Sequence, residues 1–310
     1  MTKIGSVKIK NWAFCYAMVA IAVVHFAIFW VAVNINSILM AFQTFTGYDS
    51  LTGVPMYGWS AGNFTRLFEE FGRPGSDLSV SVLNTLKYFA CSAFLVTPLS
   101  CIISYFLFKK VPGGKFFRFV FFLPNIISAV VLVTVFKNIV GFGGPLYQMV
   151  YAVSGYRMPN LFNDPGTATP AILFYTSWTG FGVNMLLYQA AMNRIPEDVI
   201  EVGKLEGIGW AREMFQICLP MIWPTLSTTV VLLFVGLFNT SGPVMLFTSR
   251  GQTASSNATN TLAFWIYGKA NQGDQANYGS AAGLFFTAIS LPVAIAVNKL
   301  MDKFGSNTEY

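Results

Sequence analysis

Six long apolar runs constrain this chain more than any other feature; they lie near residues 12–33, 82–108, 116–140, 170–192, 222–247 and 280–300. A helix needs about 20 apolar residues to cross a bilayer, where no water satisfies exposed backbone groups. Each run meets that length, so the expected fold class is all-α: a polytopic membrane protein with six transmembrane helices. Composition agrees. The chain is 54% hydrophobic and 10% charged, with 30 Phe spread along its length, whereas a soluble domain carries roughly 25% charged residues. The first run exceeds the apolar segment of about 7–15 residues found in a signal peptide, and no small-residue cleavage site follows it.

Charge sets the orientation. Lys3, Lys8 and Lys10 precede the first run, and Lys109, Lys110, Lys115 and Arg118 separate the second from the third. Arg194, Lys204 and Arg212 lie between the fourth and fifth, and Lys299 and Lys303 close the sixth. Bases gather on the cytoplasmic side of membrane proteins, so both termini and the fourth loop are expected there. The expected division is an N-terminus at 1–11, a first helix at 12–33 and an outer loop at 34–81. A five-helix core at 82–304, containing a polar loop at 195–220, then leads to a tail at 305–310. The net charge of +6 is thereby absorbed by topology. No basic stripe with interleaved aromatics is present, which excludes nucleic acid as a partner and leaves the lipid bilayer. The outer loops at 34–81, 141–169 and 249–279 are long enough to be solvated caps or docking surfaces.

Several chemistries are missing from the sequence. There is no Gly-x4-Gly-Lys-Ser/Thr phosphate loop, and no metalloprotease or serine-hydrolase motif. The four cysteines form no CxxC pair, so neither disulfides nor a metal site are expected. The single histidine, His25, reads as a packed core residue in preference to a proton relay. No carboxylate lies within an apolar run; Glu197, Asp198, Glu201, Glu206 and Glu213 all crowd into the fourth loop. An ionisable group at mid-bilayer costs at least about 2.5–3.5 kcal/mol and usually marks an ion or proton path. Its absence argues against a proton-coupled carrier. The polar groups within the runs are neutral: Asn125, Ser128, Asn184, Asn239, Thr240 and Ser241. They suit an uncharged, hydroxyl-rich solute, or they join helices to one another.

The fourth loop has its own grammar. Pro196 followed by Glu197 and Asp198 opens a helix, because proline is favoured at the start and acids complement the positive end of the dipole. That helix should run to about Glu206 and break at Gly207. A second short helix, about 210–217, should lead to Leu219-Pro220 and the fifth run.

The spacing Glu201-x-Gly203-x3-Gly207-x9-Ile217-x-Leu219-Pro220 resembles the EAA loop, EAA-x3-G-x9-I-x-LP, of binding-protein-dependent ABC importer permeases. Glu206 stands where that family has Asp, and Val202 and Gly203 stand where it has two alanines. The likeness extends to Asn84-Thr85, to Arg118 leading into Leu123-Pro124, and to Trp178, Gly180 and Ile195-Pro196. Gly143-Gly144-Pro145-Leu146, Thr248, Thr261 and Tyr267 are similar to the carbohydrate-uptake branch. That branch holds the larger maltose permease and the glycerol-phosphate A-type permeases.

The resemblance implies a non-catalytic permease subunit in a prokaryotic cytoplasmic (inner) membrane. With a second permease it would form the pathway for a carbohydrate, an oligosaccharide by preference, delivered by an extracytoplasmic solute-binding protein. Two cytoplasmic ATPase subunits would carry the ATP and Mg, leaving no cofactor in this chain. It further implies an ATPase-coupling set of Glu201, Gly203, Glu206, Gly207, Ile217, Leu219 and Pro220. A substrate-pathway set would comprise Asn125, Ala129, Thr179, Gly180, Phe181, Val183, Phe238, Asn239 and Thr240. The alternatives are a non-sugar solute (a polyol phosphate, polyamine or peptide) and, in another class, an ATP-independent secondary carrier.

Overall fold

The computed structural model describes residues 3–159, 161–162, 164–241, 244–248 and 259–305. In chain order come α1 (Lys3–Phe26), a π turn (Ala27–Ala32), α2 (Val33–Ala41), strands β1 (Gln43–Tyr48) and β2 (Pro55–Trp59), and α3 (Gly62–Phe71). Next are α4 (Asp77–Cys91), a second π turn (Ser92–Val96), α5 (Thr97–Phe108), α6 (Gly114–Ile126), α7 (Ala129–Val140), α8 (Pro145–Ser154) and α9 (Pro165–Met192). The chain continues through α10 (Glu197–Leu205), α11 (Trp210–Glu213), a third π turn (Met214–Cys218), α12 (Leu219–Met221) and α13 (Trp223–Val235). It closes with α14 (Val244–Thr248), α15 (Leu262–Ala270) and α16 (Ala276–Gly305). The fold is helical as expected, with one antiparallel hairpin, β1–β2, inside the segment expected as an irregular outer loop. Residues 249–258, within the loop expected at 249–279, and the 306–310 tail lie outside the described residues.

Among the described residues, four helical stretches are long and apolar enough to cross a membrane: Phe14–Ala41, Asp77–Phe108, Ala129–Ser154 and Ala276–Gly305. A fifth arises if Trp210–Met221 and Trp223–Val235, bent by 76°, count as one span. Hydropathy had suggested six. The 170–192 run forms one unbroken helix, α9, but is not among the stretches apolar enough to qualify, and two further runs carry a backbone break that apolarity does not record. The 116–140 run is split at Ile127-Ser128, where both residues are extended (ψ 140° and 130°). Pro124 deprives the last turn of α6 of a donor, and Ser128, a residue type favoured at N-caps, starts α7. The 222–247 run stops as a helix at Val235, with Gly236 at its C-cap.

Prolines also explain two of the three π turns. Pro98 and Pro220 each stand two residues beyond one, at the N-terminal end of α5 and α12. A proline ring crowds the carbonyl four residues back, and a π turn there widens the helix to admit it. The first π turn has no proline after it, and nothing in the sequence explains it.

The chain divides into two compact units, one of residues 1–69 with 266–285 and the other of 70–265 with 286–310. In the first unit, the described side chains of the long helix are exposed through nearly its whole length. His25 is therefore not a core residue: it is exposed and packs its ring on Phe29, 4.8 Å away. The hairpin is anchored at its base. The Asn63 side chain donates to the carbonyls of Ala41 (3.1 Å) and Gln43 (2.8 Å), and Asn277 donates to Gln43 as well (2.9 Å). At its tip the Leu51 N–H donates to Asp49 (2.9 Å), which holds that carboxyl below its usual range.

In the second unit, α5 and α9 lie against each other through small residues. Ser100 donates to the Phe181 carbonyl (3.3 Å) and Ser104 to the Met185 carbonyl (2.7 Å), a one-turn spacing that lets two backbones approach. The segment before α15 is tied to α4: Asn84 donates to the Asn260 carbonyl (3.2 Å), and Leu262 N–H donates to Thr85 (2.8 Å). One apolar cluster joins α7, α9 and α14 around Phe136, Ile172 and Phe247. Another joins α5 and α9 to the polar loop through Tyr105, Tyr188, Met192, Ile200, Met214 and Cys218.

At Gly182, α6 lies too close to α9 to admit a side chain. A Cβ there would meet the Asn125 amide and the Phe121 carbonyl (2.7 Å). Gly182→Val is expected to lower stability by about 1–3 kcal/mol through overpacking. Gly268→Ala, whose added Cβ meets nothing within 4 Å, should leave the melting temperature of the detergent-purified protein unchanged. Equal melting temperatures for both variants would contradict this packing.

Candidate functional site

The polar loop folds as two short helices locked at Gly207. Glu197 and Asp198 stand in the first turn of α10 and Lys204 in its last, each complementing the helix dipole. Glu206 is the C-cap and Gly207 has φ +68°, a left-handed conformation that costs a side-chain-bearing residue roughly 1–2 kcal/mol. The Gly207 N–H donates to the Lys204 carbonyl (3.1 Å) and the Ile208 N–H reaches back to the Gly203 carbonyl (3.2 Å). These two bonds form a Schellman motif, which satisfies carbonyls that the helix end would leave orphaned. The Ile208 side chain then folds over Gly203, where a Cβ would come within 2.8 Å of Ile208 Cδ1 and 3.1 Å of Ile217 Cδ1. Trp210–Met221 returns as the second arm, and the chain bends by 76° into α13.

The structure therefore splits the sequence-derived coupling set. Gly203, Ile217, Leu219 and Pro220 sit at the crossing or in partial burial, while Glu201, Glu206 and Gly207 are exposed. Ile195 and Ile200 press the loop onto α5 and α9. On the outward face of α10, Glu201 and Leu205 stand one turn apart, and Leu205 is 87% exposed. Beside Glu201 a hollow of about 330 Å³ is lined by Lys109, Lys110, Asn193, Glu197 and Lys204 among others.

Sequence reasoning missed two features of this region. Leu205 is an apolar residue fully presented on a charged loop. Glu213, 4% exposed, forms an ion pair with Lys109, whose Nζ lies 2.7 Å and 3.0 Å from the two carboxylate oxygens. A separation of 104 positions along the chain hides the pair from any local pattern.

The pathway set also divides. Asn125 donates to the Thr179 carbonyl (3.3 Å), and Phe121 meets Phe181 edge-on at 5.5 Å, so Asn125, Thr179, Gly180 and Phe181 gather where α6 meets α9. Ala129 and Val183 are exposed. Beyond α13, Phe238 packs on Phe286 (5.2 Å), while Asn239 is exposed and donates to the Val235 carbonyl (3.4 Å). Thr240 lines a cavity of about 260 Å³ with Gly236, Thr176 of α9, Thr85, Tyr88 and Phe89 of α4, and Ser92 of the π turn that follows it. The Tyr88 hydroxyl is buried there with no hydrogen-bond partner among the described residues. α9 connects the two groups, since Thr176 lies one turn before Thr179. The residues of α4 and of that turn were not foreseen, although their 85-88-89-92 spacing is a helical stripe visible in the sequence.

Apolar helices of spanning length, joined by a polar hairpin locked at Gly207, make this an integral membrane protein. The chain belongs to the family described as the binding-protein-dependent transport system inner membrane component, which matches residues 97–308. It is 26% identical over 254 residues to the maltose/maltodextrin transport system permease protein MalF of Escherichia coli K12, a match covering 78% of this chain and 48% of that protein. The chain thus spans about half the length of its maltose relatives. It is 25% identical over 241 residues to the probable ABC transporter permease protein YesP of Bacillus subtilis, covering 77% of this chain and 75% of that one. Its fold is similar to a chain of a bacterial ABC transporter involved in the import of the acidic polysaccharide alginate. That match has a TM-score of 0.81 and 19% identity, and it covers 97% and 99% of the two chains.

The crossing at Gly203 yields a graded expectation. The atoms a Cβ would meet are the mobile ends of two isoleucines, so Gly203→Ala should leave the hairpin closed and the protein as stable as wild type. Gly203→Leu should prise the arms apart and expose the loop to limited proteolysis; equal protease resistance for the two variants would contradict the crossing.

Proposed function

We propose that this chain is one permease subunit of an ATP-driven importer, and that its polar hairpin is the element through which ATPase subunits move it. The observation that carries this reading is the hairpin's construction. Its inner face is fixed on α5 and α9, its bend is locked at Gly207, and its outer face presents Glu201 and Leu205. A rigid body with an exposed acid and an exposed apolar side chain suits docking into a partner. The distribution of Lys and Arg supports a cytoplasmic position for this hairpin and for both termini. The chain has no phosphate-binding loop, so ATP and Mg would reside on two partner ATPase subunits. A second permease would complete the pathway, and a solute-binding protein would deliver the cargo from outside.

A carbohydrate is the solute this reading favours. The cavity beside α13 combines hydroxyls and aromatic rings with no charged residue in its lining, a mixture that stacks on sugar CH faces and hydrogen-bonds to sugar hydroxyls. The two lysines within the apolar helices supply no charge to it. Lys137 donates to the Phe247 carbonyl (2.6 Å). Lys87 lies about half a helical turn from the Thr85–Ser92 stripe, on the exposed face of α4. This supports an uncharged sugar over a polyol phosphate or a polyamine. A secondary carrier would leave the hairpin without a role, and this chain has no carboxylate within an apolar run to bind a driving ion.

Charge reversal at Glu201 tests the reading. At a docking contact, a like charge facing its partner commonly costs several kcal/mol. The Glu201→Lys chain should reach the membrane in normal amount, because that residue lies outside the bilayer, yet retain its ATPase subunits poorly during purification. Full retention together with wild-type ATP hydrolysis in the reconstituted complex would leave the hairpin as an interfacial ornament and refute the proposal.

A further inference from the structure

We infer that the partly buried Lys109–Glu213 ion pair is the pin that makes the α4–α5 helix move with the hairpin. The inference rests on the coupling role proposed above and adds the route by which motion leaves the loop. Covalently, the hairpin continues only into α9 and α13. The α4–α5 helix, Asp77–Phe108, has no chain connection to it. Yet that stretch carries Thr85, Tyr88, Phe89 and Ser92 of the cavity wall. Motion can reach α5 through α9, whose carbonyls accept from Ser100 and Ser104, or directly, through a non-covalent link between the hairpin and the end of α5.

Lys109 is that link. It is the C-cap of α5, and both oxygens of Glu213, in the second arm, accept from its Nζ. The Glu213 side chain is 5% exposed and that of Lys109 is 28% exposed. Tyr105 and Cys218 lie beside the carboxylate, and Phe106 meets Trp210 at 5.6 Å, a ring contact that reinforces the junction. Stability alone does not account for such a pair. The cost of burying a carboxylate cancels much of the attraction, and apolar residues of similar volume commonly serve as well or better. What an apolar contact lacks is direction. Tyr105, Met214 and their neighbours can slide past one another, whereas charge-assisted hydrogen bonds from one Nζ to both carboxylate oxygens are lost if the two groups move apart by more than a fraction of an ångström.

The experiment reads motion without needing the solute. This chain is purified with its second permease and ATPase subunits, native cysteines are replaced, and Ser92→Cys is introduced in the cavity wall. The rate at which a charged methanethiosulfonate reagent modifies that cysteine is compared before and after trapping the ATPases with vanadate. In the otherwise unmutated complex the rate should change on trapping; no change at all defeats the proposed coupling role itself. The decisive variant is Lys109→Met/Glu213→Met, which fills the site without charge. A pin predicts normal assembly and vanadate trapping but a trapping-dependent change in rate reduced by roughly 2- to 30-fold. Lys109→Arg, which keeps a bidentate pair, should restore most of the response. The inference is overturned if the double methionine variant responds like the unmutated complex. It is equally overturned if that variant fails to assemble, since the pair is then needed only to build the fold.

Discussion

Everything proposed for this chain depends on how the polar hairpin is held. Ile195, Ile200, Met214 and Cys218 of the loop region close over Tyr105, Tyr188 and Met192 of the long helices. A loop resting on water could absorb a push by bending. This one has an apolar underside, a satisfied helix end at Gly207 and a partly buried ion pair, so displacement is passed to the helices beneath it. The 76° bend between Trp210–Met221 and α13 turns a helix lying along one direction into a helix pointing along another.

The hairpin was readable in the sequence because its determinants are local. Pro196 and the two acids after it start a helix, Gly207 ends it, and Leu219-Pro220 leads into the next. Each signal acts within one turn; the structure places both ends of α10 and the start of the second arm within a residue or two of where those signals put them, while that arm runs on through Leu219-Pro220 to Met221, about four residues past its expected end. The Lys109–Glu213 pair and the Phe106–Trp210 contact were not readable, because their partners meet only after α5, α9 and the loop have packed. The same limit explains the spans. Hydropathy sees 116–140 and 222–247 as uninterrupted, yet a backbone turned extended at Ile127-Ser128, or ended at Gly236, remains as apolar as a helix.

The neutral polar residues within the apolar helices divide between the two roles that sequence left open. Ser100, Ser104 and Asn84 join helices or anchor a segment to one, with carbonyl partners 81 to 176 residues away. Asn125 does the same toward α9. Thr240, Thr176 and Ser92 instead face a cavity. A polar side chain in a membrane helix is satisfied by whatever it meets, so residue type alone does not separate glue from pathway. The 85-88-89-92 stripe on α4 and the start of the π turn after it shows that periodicity could have found part of the wall.

The central claim is that the outer face of α10 is where ATPase subunits take hold. A photo-activatable amino acid at Leu205, the most exposed apolar side chain of the hairpin, tests it most directly in membranes containing the whole transporter. The account predicts a cross-linked product joining this chain to an ATPase subunit, with a yield that changes when nucleotide is bound. Cross-linking to lipid alone, at a yield indifferent to nucleotide, would contradict it.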